Sequence, residues 1–306
     1  MRISHILRLT VAAGLGATAL NMVGLIAPAE ARVADTPAAC LHPKTNADIA
    51  GARGGPRGTD HRDISIAEEQ AIERRTDARL AARGITARQS TALVATRVPV
   101  YFHVMRDAKG HGNVTNRQIA RQVTVLNRDY NSLGFSFKLM GISRHNNTAW
   151  HHDRNSAHYR AVTRRGGSNA LNIWLVDFSY LGISTFPWDY RQKRAVDGIR
   201  VHWDSLPGGS IIHFNLGGTA THETGHWLGL YHTFQGGCST NNDLVTDTPA
   251  EAQPSFRCAY GRDTCPDDPG PDPIFNFMDY SYDYCMKRFT EGQVQRVDAA
   301  MAEWRL

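Results

Sequence analysis

Between Thr221 and His232 the chain reads THETGHWLGLYH, and five of these residues are of types that do chemistry together: His222, Glu223, His226, Gly229 and His232. Residues four apart share one face of a helix, so His222 and His226 can aim an imidazole nitrogen at one ion. Glu223 lies about 100° round the helix from His222, within reach of a water on that ion but not among its ligands. His232 is too far along a continuing helix to meet the same point. The helix must therefore stop, and Gly229 can take the positive φ that turns the chain back. Three neutral imidazoles leave a tetrahedral zinc ion one position for water, whose pKa falls toward about 7. The spacing thus predicts a catalytic zinc site, with Glu223 placed to accept a proton from that water. By residue frequency the whole H-E-x-x-H-x-x-G-x-x-H pattern arises by chance in about one such chain in ten thousand.

The elements that must position these residues follow from periodicity. Val98, Val100, Phe102 and Val104 alternate with more polar neighbours, as in a half-buried strand. Thr115 or Asn116 can cap a helix whose apolar face is Ile119, Val123, Leu126 and Tyr130, with Gly134 beyond its end. Phe135, Phe137 and Leu139 alternate again, and residues 171–178 (LNIWLVDF) read as a central strand. Residues 198–203 (GIRVHW) read as a further strand before the Pro-Gly-Gly turn at 207–209. Thr290 with Gln293 makes a capping box before a last helix with Val294, Val297, Met301 and Trp304 on one face. This order predicts an α+β (α/β-type) layer fold. The stretch from about Thr233 to Arg288 is too long for a simple connection, so a function or a staple must hold it.

The 306 residues, 42% hydrophobic and 21% charged, exclude a disordered or fibrous protein and suit one large domain or two small ones. A formal net charge of +5 gives no argument for nucleic acid. Its distribution says more: residues 93–222 carry 16 basic and 7 acidic side chains, whereas residues 223–306 carry 6 basic and 13 acidic. The acidic third could hold hard cations or attract basic substrates. Residues 1–31 read as a signal peptide, with Arg2 and Arg8, an uncharged apolar stretch from Leu9 to Ile26, and Ala29-Glu30-Ala31 as cleavage site. The product is then secreted, with no membrane attachment after cleavage. Residues 32–92 contain no Phe, Tyr or Trp and only one helical-looking piece, Ile64 to Leu80. They cannot build a core of their own and read as a pro-segment, which makes 93–306 the catalytic domain.

Four of the five cysteines, Cys238, Cys258, Cys265 and Cys285, lie in the acidic third; four allow three pairings, and spacing alone does not choose. A four-cysteine zinc site lacks a C-x-x-C pair. Cys40 is left over in the pro-segment. A thiolate is a good zinc ligand, so Cys40 is the candidate latency switch, displacing the catalytic water in the precursor, with release by cuts near Arg74-Arg75, Arg83 or Arg88.

The eleven-residue pattern is the metzincin signature. Asn276-Phe277-Met278-Asp279-Tyr280 resembles the Met-turn that metzincins place beneath the metal. His232 to Cys238 (HTFQGGC), Asp247 to Glu251 (DTPAE), Gly261 to Cys265 (GRDTC) and Cys285 to Thr290 (CMKRFT) are similar to the pappalysin family of metzincins, over about residues 200–306. At Ser281-Tyr282-Asp283-Tyr284 the chain departs from the more acidic run of that family. The resemblance implies a secreted zinc metalloendopeptidase acting on protein or peptide substrates as a monomer. It implies a metzincin-like zincin fold: a twisted mixed sheet with backing helix and active-site helix, the strand at 198–203 as the upper rim of the cleft pairing with an extended substrate, then a loop-rich C-terminal subdomain with Met-turn and terminal helix. It further implies Cys238–Cys265 and Cys258–Cys285 disulfides, Met278 packing under the site, and Tyr280 holding the tetrahedral intermediate. A structural calcium ion is implied at Asp243, Thr246, Asp247 and Thr248, and Asp283 is the candidate pocket charge for substrates with basic residues. The alternative is an extracellular binding module, stabilised by zinc and catalytically idle, for which Glu223 would be dispensable.

Overall fold

Strand β1 (Thr96–Arg106) alternates as its sequence requires, and Val98, Val100, Phe102 and Val104 are fully enclosed. After it, Thr115 accepts a hydrogen bond from Gln118 N while the Gln118 side chain reaches back to Thr115 N, a capping box that starts helix α2 (Asn116–Asp129). Gly134, in the left-handed region at φ 74°, turns the chain into β2 (Phe135–Asn146). Helix α3 (Ser156–Thr163) leads to β3 (Leu171–Val176), in which every residue is buried. The short β4 (Gly182–Ser184) and β5 (Ile199–His202) follow. The sheet order is β2-β1-β3-β5-β4, with all neighbours parallel except the antiparallel pair β4 and β5. This is the expected mixed α+β sheet, and it continues into helix α4 (Gly218–Trp227) and the terminal helix α5 (Glu291–Trp304).

The expected rim strand needs correction. β5 pairs with β3 on one side and β4 on the other, so its backbone donors are already used. The outer edge belongs to β4, whose three residues are too short for any periodicity to reveal.

The structure, a computed structural model, describes residues 64–84 and 96–306, all within the unit Thr36–Leu306. Residues 1–31, expected to be a signal peptide, and Cys40 and Arg88 lie outside the described residues. Helix α1 (Ile66–Ala82), within the stretch expected to be a pro-segment, lies on α5. Trp304 Nε1 donates to Thr76 Oγ1, and the Arg75 and Arg79 guanidinium groups sit 5.1 Å from the Trp304 ring. Arg79 pairs with Glu303 and Arg296 with Glu73, each at 2.7 Å. Ile64 and Ile72 complete an apolar cluster with Phe186, Trp188 and Tyr231. A segment without a core of its own thus borrows one.

From Thr233 to Arg288 the chain forms turns, bends and two isolated bridges. Cys238–Cys265 and Cys258–Cys285 are the disulfides, with Cα separations of 5.4 and 5.9 Å. Arg262 bridges the buried carboxylates of Glu251 (3.0 Å) and Asp272 (2.9 Å).

Candidate active site

Every residue of α4 is buried, and its apolar members Ala220 and Trp227 belong to the same core cluster as Phe102, Leu126 and Ile173. The helix is fixed at both ends. At its start, Asp283 Oδ2 accepts from Leu216 N (2.8 Å) and Gly218 N (3.2 Å). At its end, Trp227 Nε1 and Arg305 both donate to the Asp197 carboxylate, the latter through two nitrogens at 2.9 and 3.0 Å. From the side, Tyr130 donates its hydroxyl to Thr221 O at 2.7 Å.

Gly229 has φ +102°, and Leu230 N closes the helix end on Gly225 O, so the chain doubles back as its spacing predicts. His232 thereby meets His222 and His226. The three Nε2 atoms are mutually 3.0–3.2 Å apart. Two nitrogens each about 2.0–2.1 Å from one tetrahedral zinc lie about 3.3 Å apart, so the donor set fits a zinc ion with little adjustment. Backbone carbonyls set the tautomers: His222 Nδ1 donates to Phe277 O (2.7 Å) and His226 Nδ1 to Leu230 O (2.8 Å), which leaves each Nε2 as a lone-pair donor.

Glu223 is fully buried in the same helix, beneath β4. A Cβ on Gly182 would collide with its carboxylate, so the edge strand can pass this close only with glycine there. Met278 is likewise enclosed under the helix, where a Cβ on Gly225 would strike its sulfur. It packs, as expected, and Phe277 before it supplies the carbonyl for His222. The Tyr280 ring centroid stands 5.7 Å from that of His222 and 5.0 Å from that of His232. Asp279 Oδ1 accepts from Ser255 N and Tyr280 N, which fixes the turn.

Leu181, Phe214, Thr219, Tyr280 and Met286 line a pocket beside His222 and Glu223, and Asp283 stands in its wall. Burial raises the Asp283 pKa to about 7 against the lowering pull of its backbone donors. The residues of the expected calcium site lie elsewhere, on the turn before Pro249. Asp243 is buried, which raises its pKa to about 8, and it accepts from Val245 N. Asp247 accepts from Gly292 N in the first turn of α5. Gly182 and Asp197 shape the site without any signal in the sequence; only the fold brings them to it.

A buried three-histidine metal site on a helix under a sheet edge, with a glutamate beside it and a methionine turn beneath, defines a zinc-dependent metalloendopeptidase of metzincin architecture. The family model described as pregnancy-associated plasma protein-A matches residues 208–302. An extracellular metalloprotease of Neurospora crassa is 42% identical over 258 residues, 81% of this chain and 88% of the relative. One from Colletotrichum graminicola is 36% identical over 285 residues, 90% of this chain and 99% of the relative. The structure of mature mirolysin of Tannerella forsythia in complex with a cleaved peptide is similar, with a TM-score of 0.61 and 26% identity over 69% of this chain and 95% of mirolysin. The chain belongs to the pappalysin family of extracellular metalloproteases. Membership in a family of proteases sets aside the idle binding module, and among the described residues no helix is long and apolar enough to cross a membrane.

Proposed function

We propose that this chain is a secreted preproenzyme that matures into an endopeptidase cutting before basic residues, with Glu223 as its general base. A zinc ion held by His222, His226 and His232 would supply an acidified water and polarise the peptide carbonyl. Glu223 takes the proton from the attacking water and delivers it to the amine nitrogen as the peptide bond breaks. The Tyr280 hydroxyl donates a hydrogen bond to the oxygen that gains charge. The outer edge of β4, directly above Glu223, pairs with an extended substrate and holds the scissile bond at that height.

The carrying observation is the convergence of three Nε2 atoms next to a buried Glu223 under an unshared strand edge. The basic preference rests on Asp283, whose second oxygen, Oδ1, is buried without a hydrogen-bond partner in the wall of the adjoining pocket. A cationic side chain after the scissile bond would satisfy it. Calcium at Asp243–Thr248 is part of the same reading, because a buried carboxylate with a raised pKa gains from a nearby cation. Latency through Cys40 is the remaining part and follows from thiolate affinity for zinc.

The test is cleavage of a peptide library by zinc-loaded, processed protein. Dominant Arg or Lys after the cut supports the proposal, and a dominant apolar preference there contradicts the role of Asp283. EGTA at a level that spares zinc is expected to lower the melting temperature; an unchanged value contradicts calcium binding.

A further inference from the structure

The carboxyl ends of parallel strands are where sheets of this kind gather ligands. Here β1, β3 and β5 end together around a cavity of about 300 Å³ that includes His111, His151, His152, Asp177 and His202 in its lining. None of these residues belongs to the site at His222, His226 and His232. We propose that His151, His152 and Asp177 form a second site for a divalent transition metal such as Zn²⁺.

His151 is buried, and its Nδ1 lies 2.8 Å from Met105 O. A carbonyl only accepts, so Nδ1 bears the hydrogen and Nε2 is the lone-pair donor, the same device that prepares His222 and His226. That Nε2 faces Asp177 Oδ2 at 3.9 Å. A lone pair aimed at a carboxylate calls for a group between them that satisfies both: a cation, a proton or a bridging water. His152 Nδ1 approaches the same Oδ2 to 3.3 Å. The other carboxylate oxygen is held by His202. Asp204 N donates to His202 Nδ1 at 3.2 Å, so His202 Nε2 carries a hydrogen and donates to Asp177 Oδ1 at 3.1 Å. His202 is thus a positioning residue, and His151 Nε2, His152 Nδ1 and Asp177 Oδ2 are the three ligand atoms.

Their backbone is as well fixed as their rings. Asp177 N donates to His151 O at 2.6 Å, which ties the end of β3 to the short helical turn that carries both histidines. Ligand atoms of all three residues fall within 4.8 Å of one another. Two ligands on one such ion lie about 3.0–3.4 Å apart, so a small rotation of His151 or His152 closes the set. Two imidazoles and one carboxylate suit zinc, cobalt or nickel rather than calcium or magnesium, which take oxygen ligands. The cavity leaves room for waters in the remaining positions. An ion here would also brace the β3–β4 connection, since His202 N holds Leu181 O at 2.8 Å just before β4 begins.

The experiment uses the full chain with zinc already in the His222 site. Co²⁺ is added, excess is removed, and cobalt and zinc per chain are measured together with the visible absorption of bound cobalt. Wild-type protein is expected to hold one cobalt while keeping its zinc, and to melt several degrees higher. His152→Ala, whose side chain is 42% exposed and so not needed for folding, is expected to bind cobalt about tenfold or more weakly and to lose the melting shift. Asp177→Asn is expected to do the same. Equal uptake by wild type and His152→Ala overturns the site, as does cobalt uptake matched by zinc release, or no uptake below about 1 mM. The last result would mean that water, not a metal ion, bridges His151 and Asp177.

Discussion

Around β1, β3 and β5 the chain is held by apolar burial: Val98, Phe102, Ile173, Leu175 and Val201 are wholly enclosed and share a cluster with Leu126, Trp227 and Met301. Between Thr233 and Arg288 there is neither helix nor strand; Phe277 and Met278 reach into that same core and Tyr280 and Tyr282 pack on Leu181 and Phe214, but most of the remaining holding is polar and covalent. Two disulfides cross-link that region, Arg262 joins Glu251 to Asp272, and Asp279 gathers two backbone N–H groups. The active site takes its parts from both. His222, Glu223 and His226 stand on a helix of the apolar half, whereas Met278, Tyr280 and Asp283 come from the cross-linked half. The helix carrying His222, Glu223 and His226 is thus set by packing, whereas the turn carrying Tyr280 and Asp283 is set largely by cross-links and polar contacts.

The two halves should break differently. Phe102→Ala, which empties a site in the middle of the sheet, is expected to cost about 3–5 kcal/mol and to unfold both halves together. Arg262→Ala leaves two buried carboxylates facing each other. Because the Arg262 side chain is one quarter exposed, the expected cost is smaller, about 2–3 kcal/mol, and falls first on the loop region. Urea melts followed by hydrogen exchange check both. Simultaneous loss of protection in the two halves of the Arg262 variant would erase the distinction.

Asp283→Asn sharpens the comparison within the pocket. Asparagine keeps an acceptor for Leu216 N and Gly218 N, so α4 should stay in place while the charge is lost. The expected result is a fall of about tenfold or more in kcat/KM for substrates with Arg after the cut, relative to Leu. In the wild type the raised pKa, about 7, gives a pH signature. Protonated Asp283 cannot pair with a cation, so the preference for Arg should grow as pH rises from about 6 to 8 and should be flat in the variant.

The smallest expected effect concerns α1, the guest on the apolar half. Burial raises the Glu69 pKa from 4.5 to about 7, only partly offset by Gln235 and Arg296. The folded state therefore holds the proton more tightly than the unfolded chain. Its stabilisation is fully present below pH 4.5 and is lost as pH rises through about 7. Limited proteolysis of α1 should quicken across that window, and Glu69→Gln should remove the dependence.

Much of the apolar half was legible because burial writes itself as periodicity: the alternation at Val98–Val104, the Thr115 and Thr290 caps, and the four-residue step between His222 and His226 all stand as read. The break at Gly229 was legible for the same reason, since geometry demanded it. β4 was not, because three residues carry no period, and so the rim was assigned to the strand beside it. The helix α3 was also missed. In the cross-linked half the disulfide pairing came from family resemblance alone. The Arg262 network could not be foreseen, because nothing in a single sequence says which acid an arginine will meet.

The measurement that bears most directly on the account is made on Glu223→Ala. Zinc content and casein cleavage are determined side by side for variant and wild type, both zinc-loaded and processed. The three histidines are untouched, so the variant should keep one zinc per chain. Removal of the general base should cost at least about a thousandfold in rate, about 4 kcal/mol of transition-state stabilisation. Cleavage at close to the wild-type rate by a zinc-replete variant would contradict the assignment of Glu223.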